Sequence, residues 1–202
     1  MIYLALVIPV IAGFVLVQLI KPNSKHLQLF LSFSGAYLLS VTVLHLIPEV
    51  FTTQQEHIGL FILLGIVLQT ALEYLSKGAE HGHIHIQENI DFPWGLFISL
   101  GIHAFMEGIP LGHNHHHEHL LWAIVIHKIP IAIVLTTYLM HSNFAKKTIF
   151  TYILIFGLMS PLGVFVADKI NFFSIYSREI TAIIIGVFLH ISTIILFEGS
   201  EN

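Results

Sequence analysis

Seven runs of mostly apolar residues, each close to twenty long, constrain this chain more than any other feature. They occupy roughly 2–20, 27–47, 57–76, 93–113, 118–140, 148–167 and 179–197. About 20 such residues in a helix cross the hydrocarbon core of a bilayer, and a helix satisfies its own backbone polar groups where no water can. The chain is therefore expected to be an all-α polytopic membrane protein, with one transmembrane domain over 1–202. Short connections predict that consecutive runs pack as antiparallel neighbours, the fourth and fifth forming a hairpin. Composition agrees: 10% of residues are charged, against about 25% in an ordinary soluble domain, and the mean hydropathy is +0.84.

No basic stretch precedes the first run, and its lysines follow it, so it reads as a retained span rather than a cleaved signal. Basic residues between spans favour the cytoplasmic side. With the N-terminus outside, Lys21, Lys25, Lys77, Lys146 and Lys147 fall inside, and Lys169 and Arg178 outside. Residues 77–92 then form a cytoplasmic loop and 113–119 an extracytoplasmic turn. The compact loops fit a bacterial inner membrane. A formal net charge of −4 leaves no basic patch for nucleic acid, and the absence of cysteine excludes disulfides and thiolate metal sites.

Histidine is the anomaly. Fifteen of them outnumber the eight lysines and arginines together, and histidine is the commonest metal-ligating side chain. The fourth run contains His103-Ala-Phe-Met-Glu107-Gly-Ile-Pro110-Leu-Gly112. On a helix His103 and Glu107 are separated by about 40° around the axis and one turn along it, so both project from one face. The fifth run adds His127, in His127-Lys128-Ile-Pro130. At membrane depth these groups cost several kcal/mol each unless something occupies them, and a divalent cation is the simplest occupant. Gly108, Gly112, Pro110 and Pro130 loosen the helices beside them, as discontinuous helices around transporter sites do. The competing reading is an interhelical hydrogen-bonded pair worth about 1 kcal/mol. Lys128, about ten residues into its run, is too deep to snorkel easily. It either pairs with Glu107 or faces a water-filled vestibule.

Other candidates are peripheral. His81, His83 and His85, with Glu80, Glu88 and Asp91, suit weak labile metal binding or a merely solvated loop. His113, His115, His116, His117 and His119 would gather metal at an entrance, or form a hydrophilic turn. His45 and Glu49 repeat the four-residue spacing at the outer end of the second run. They read as a relay between that outer histidine cluster and the central site or, given Pro48, as a plain helix end. Glu73 ends the third run on the cytoplasmic side, where an exit role competes with a solvated helix end. His190 and Glu198 are weaker candidates on the seventh.

Taken together, His103-x-x-x-Glu107-Gly and His127-Lys-x-x-x-Ala resemble the Zrt/Irt-like (ZIP) family of divalent-metal transporters. His45-Leu-Ile-Pro48-Glu49, Ser160-Pro161-Leu162-Gly163 and Gly186-Val-Phe-Leu-His190 look like further motifs of that family. The resemblance implies uptake of a transition metal into the cytoplasm by alternating access, with the ion bound between the fourth and fifth spans. It maps the family's principal site onto His103, Glu107 and His127, and makes a homodimer plausible. Where many members carry ligands for a second metal, this chain has Ala104, Lys128 and Ile131, so one metal is expected. The Lys128 ammonium would stand in for the second cation. The family usually has eight spans, and seven are found here.

Zinc is the expected cargo, with Fe²⁺, Mn²⁺ or Cd²⁺ also suited to nitrogen and carboxylate ligands. The rival class is a membrane metalloenzyme. Histidine-box oxygenases and desaturases gather their boxes on one membrane face, whereas the two histidine-rich stretches here fall on opposite faces. An intramembrane metalloprotease would need His-Glu-x-x-His, which does not occur. A metal sensor without transport is a third class. An enzyme is not expected.

Overall fold

The computed structural model describes residues 1–20, 23–52, 57–76, 94–112 and 118–198. They form helices α1 (Ile2–Leu19), α2 (Ser24–Val41), α3 (Ile47–Val50), α4 (Ile58–Ser76), α5 (Trp94–Gly108), α6 (Glu118–Met140), α7 (Lys146–Lys169), α8 (Asn171–Ile175) and α9 (Ser177–Glu198). A π-helical turn, Thr42–Leu46, joins α2 to α3 without a break, and a 3₁₀ turn, Ile109–Leu111, ends α5. Pro48 explains the first of these. It cannot donate to the carbonyl of Leu44 and its ring pushes that turn open, so Ile47 N–H reaches back five residues to Thr42.

Among the described residues, seven helices are long and apolar enough to cross a membrane, and their ends match the seven apolar runs within a few residues. Their outer surface is what a bilayer requires. Leu4, Ile8, Leu60, Leu63, Val67 and Phe165 are all exposed, a pattern that water would penalise and lipid tails accept. Trp94 and Trp122, each 59% exposed, lie toward opposite ends of the bundle, where an indole has both an apolar and a wet neighbour.

Spans consecutive in sequence do pack together in two cases, α4 with α5 and α6 with α7, but the strongest pairings depart from the expectation that they pair. The closest partners are α4 with α9, α1 with α6, α5 with α7 and α1 with α7, followed by α2 with α6 and α9. Contacts along each pair give its direction. Gly13 faces Ala132, and Gln18 faces Met140, so α1 and α6 run parallel. Phe97 meets Tyr152 and Phe105 meets Gly163, so α5 and α7 are parallel too. Gly65 meets Gly186 and Glu73 meets His190, which makes α4 and α9 a third parallel pair. Tyr3 against Asp168, with Phe14 against Phe150, sets α1 antiparallel to α7.

Short loops cannot make parallel pairs, so proximity in sequence has little say in this fold. Small residues decide it instead, because in lipid two helices associate by close backbone approach rather than by hydrophobic exclusion. A Cβ on Gly65 would run into the carbonyl oxygen of Ile183, and one on Gly186 into that of Ile62. A Cβ on Gly108 would meet the carbonyl of Ser160, and one on Gly163 that of Phe105. α5 and α6, expected to lie together as a hairpin, are not close backbone partners. They meet through their polar side chains.

Candidate metal centre

The polar groups between α5 and α6 lie deep in the bundle. His103 is 3% exposed, Glu107 2%, His127 0% and Lys128 1%. The four-residue spacing on α5 brings His103 Nε2 within 2.8 Å of Glu107 Oε1. From α6, Lys128 donates to Glu107 Oε2 at 2.7 Å. The imidazole of His127 stands across the gap from that of His103, with ring centroids 6.2 Å apart and planes at 82°. One ligand atom from each of His103, Glu107 and His127 lies within 4.8 Å of the others, and theirs is the only such trio among the described residues.

The surrounding helices fix these groups. Ser34 of α2 donates its single hydroxyl proton to the Leu31 carbonyl at 2.8 Å. The same hydroxyl lies 3.3 Å from His127 Nδ1; with its proton on Leu31 it accepts from Nδ1–H, the tautomer that keeps the Nε2 lone pair for a metal. Ser160 of α7 donates to the backbone carbonyl of Ala104, tying α5 to α7 beside His103. Pro130 cannot donate to the carbonyl of Ile126, which loosens α6 next to His127. The ammonium of Lys128 also lies over the Phe156 ring, 5.5 Å from its centroid, a favourable place for a buried cation. Of the two readings of Lys128, the ion pair is the one observed.

Ala104 is fully buried and Ile131 is 4% exposed. Neither side chain carries a ligand atom, so the space beside Glu107 holds an ammonium and hydrocarbon. The remaining candidates lie elsewhere. His45, in the π turn, is exposed and stacks on His119 of α6, with centroids 4.7 Å apart and planes 4° from parallel. Glu49 is exposed in α3. Glu73 of α4 is paired with His190 of α9 at 2.6 Å. His81, His83, His85, His113, His115, His116 and His117 lie outside the described residues.

Ser34 and Phe156 carried no signal that singled them out in sequence. A serine within an apolar run can bond its own helix, and Phe156 is one of 16 phenylalanines. Only the packing of α2 and α7 around α6 shows what they touch.

Zinc transporter ZIP1 of Danio rerio is 30% identical over 94 residues, covering 45% of this chain and 31% of the relative. The chain thus matches about a third of that protein's length. A sequence profile of the ZIP zinc transporters matches residues 76–197, which include α5, α6, α7 and α9 and every group in the buried centre except Ser34. With that match over more than half its length, and seven membrane-length helices around it, this integral membrane protein belongs to the ZIP zinc transporter family.

Proposed function

We propose that the chain carries a divalent transition metal, zinc ahead of Fe²⁺, Mn²⁺ or Cd²⁺, across its membrane towards the cytoplasm by alternating access. His103, Glu107 and His127 are its central ligands. The observation that carries this reading is their convergence within 4.8 Å, in the middle of helices that span a bilayer. Two imidazole nitrogens and a carboxylate oxygen match a zinc site with one open position, at metal–ligand distances of about 2.0–2.2 Å. An open position is what a transported ion needs, because it must be able to leave.

The ion would take over Glu107 Oε1 and His103 Nε2, which now face each other. Lys128 keeps Oε2 and supplies the positive charge that a second metal would otherwise bring. One ion per cycle follows from Ala104 and Ile131 offering no donor. With Ser34 accepting from Nδ1–H, His127 Nε2 is the third ligand. The printed name of the Danio rerio relative, a zinc transporter, points to the same cargo. The Tyr3 end of the bundle, where His45, His119 and Asp168 lie, is read as the outside.

Purified protein in proteoliposomes tests this with radiolabelled zinc. The expected result is zinc accumulation that Glu107→Ala reduces to the level of empty vesicles. Uptake should also fall as external pH drops from about 7.5 to about 5.5, because protons then occupy the imidazole nitrogens that the metal needs. Wild-type flux in the Glu107→Ala protein, or flat uptake across that range, would sink the reading.

A further inference from the structure

The three central ligands do not by themselves choose a metal. Two imidazoles and a carboxylate hold zinc where one further position is open, and ferrous iron where several are. Manganese and magnesium ask for about six ligands, mostly oxygen. The choice therefore falls to what else the centre can offer.

Its walls offer little. Glu107 is the ligand with a spare atom: Oε1 faces His103 Nε2 at 2.8 Å, but Oε2 accepts from Lys128 Nζ at 2.7 Å. Lys128 is 1% exposed, and the Phe156 ring lies 5.5 Å from its ammonium, so the side chain has no route to water. While it stays, the carboxylate gives a metal one oxygen and not two. The nearby hydroxyls are already engaged. Ser34 donates to the Leu31 carbonyl and meets His127 Nδ1, and Ser160 donates to the Ala104 carbonyl. Buried Ala104 and Ile131 add only hydrocarbon. An ion that wants six ligands would have to bring about three waters here, and a buried water needs two to four polar partners of its own. A four-coordinate ion needs one.

We propose that Lys128 is a selectivity residue: by holding Glu107 Oε2 it limits the centre to three protein donor atoms, which admits Zn²⁺ and Cd²⁺ and turns away Mn²⁺ and Fe²⁺. The favoured ions have filled d shells and no geometric preference of their own, so four ligands suffice. Lys128 acts through Glu107 and does not touch the ion. Its charge repels every divalent cation alike; its hold on Oε2 is what separates them. The inference rests on reading His103, Glu107 and His127 as the ligands of the transported metal, and adds which ions that centre rejects.

The test is metal binding by the full chain in detergent, with His45 and the histidines of 81–85 and 113–119 replaced by alanine to silence peripheral binding. Bound Co²⁺, a spectroscopic stand-in for Zn²⁺, should show the intense visible absorption of a four-coordinate ion, and Glu107→Ala should abolish it. Lys128→Met frees both oxygens of Glu107. There the Co²⁺ absorption should weaken towards that of a higher-coordinate ion, and the preference for Zn²⁺ over Mn²⁺, read by competition, should shrink roughly tenfold or more. Ile131→Gln keeps Lys128 and adds an amide oxygen one turn beyond His127 on the same face of α6. It should move both readouts the same way, and it carries the test if Lys128→Met is too unstable to purify. Six-coordinate Co²⁺ in the unaltered centre, or a Zn²⁺ over Mn²⁺ preference that neither variant erodes, would overturn the proposal. Four-coordinate Co²⁺ and an eroded preference, in a protein whose vesicles take up no zinc, would uphold it and fail the transport reading instead.

Discussion

Two crossings in this molecule are built alike and carry different charge chemistry. α5 meets α7 at Gly108 and Gly163; α4 meets α9 at Gly65 and Gly186. Both pairs run parallel, and near both a glutamate contacts a histidine. At the first, His103 and Glu107 share a helix and are almost wholly buried, with Lys128 closing the other side of the carboxylate. At the second, Glu73 and His190 belong to different helices and keep side-chain exposures of 22% and 13%. The glycines explain only how closely the backbones approach. Burial decides what the charges can do. A carboxylate sealed from water needs a fixed cation beside it, and here that is an ammonium with room for a metal. A carboxylate still in touch with water can serve as a strap between helices at little cost.

The largest effect that would sharpen this contrast is at Lys128. Lys128→Met removes the charge while keeping much of the volume, and leaves Glu107 buried with a charge it can no longer balance through the ammonium. A loss of about 3–5 kcal/mol of stability is expected, read as thermal unfolding in detergent. Added zinc should restore part of it, because the ion supplies the missing positive charge. Glu73→Gln, measured in the same way, should cost about 1 kcal/mol or less. Equal losses at the two positions would erase the distinction between a sealed and a wetted charge.

Next in size are the crossings themselves. Gly65→Ala and Gly108→Ala each place a methyl group against a partner carbonyl, and each is expected to cost about 1–3 kcal/mol by forcing the helices apart. Only Gly108→Ala should also weaken zinc binding, since Gly108 adjoins Glu107. If Gly65→Ala weakened it equally, the two crossings would be coupled more tightly than their separate charge networks suggest.

The smallest expected effect concerns Ser34. Ser34→Ala removes the hydroxyl that meets His127 Nδ1, leaving the ring without that orienting contact. Zinc affinity should drop by roughly tenfold while the fold is kept. Unchanged affinity would mean that other contacts orient the ring.

What the sequence made legible divides along the same physical lines. The helices were legible because crossing lipid demands length and hydropathy, which a run such as 179–197 displays without reference to anything else. The meeting of His103, Glu107 and His127 was legible because their burial in lipid would be costly unless they faced each other. Which helices pair was not. Gly65, Gly186, Gly108 and Gly163 are four of 14 glycines, and nothing local says which two will touch. The Glu73–His190 pair was hidden for the same reason: each residue was a weak candidate alone, and only the parallel packing of α4 on α9 joins them. His45 reads as a relay from the outer histidine cluster, but which histidine it would meet was not legible, because its stack on His119 depends on a π turn that the sequence does not announce.

The parallel pairing also bears on how the chain enters a membrane during synthesis. α1 ends at Leu19, yet its close partner α6 begins only at Glu118, so the first span must wait in lipid while four more helices emerge. It is suited to waiting, being apolar all round and only 22% buried in the finished bundle. α5 is not: 56% of it is buried, and it brings Glu107 into lipid before α7 exists. Lys128, however, arrives on the very next span, so a translocation channel releasing α5 and α6 together would hand over carboxylate and ammonium as one neutral couple. The ion pair that shapes the finished centre would thus already have served as the passport for its most polar helix.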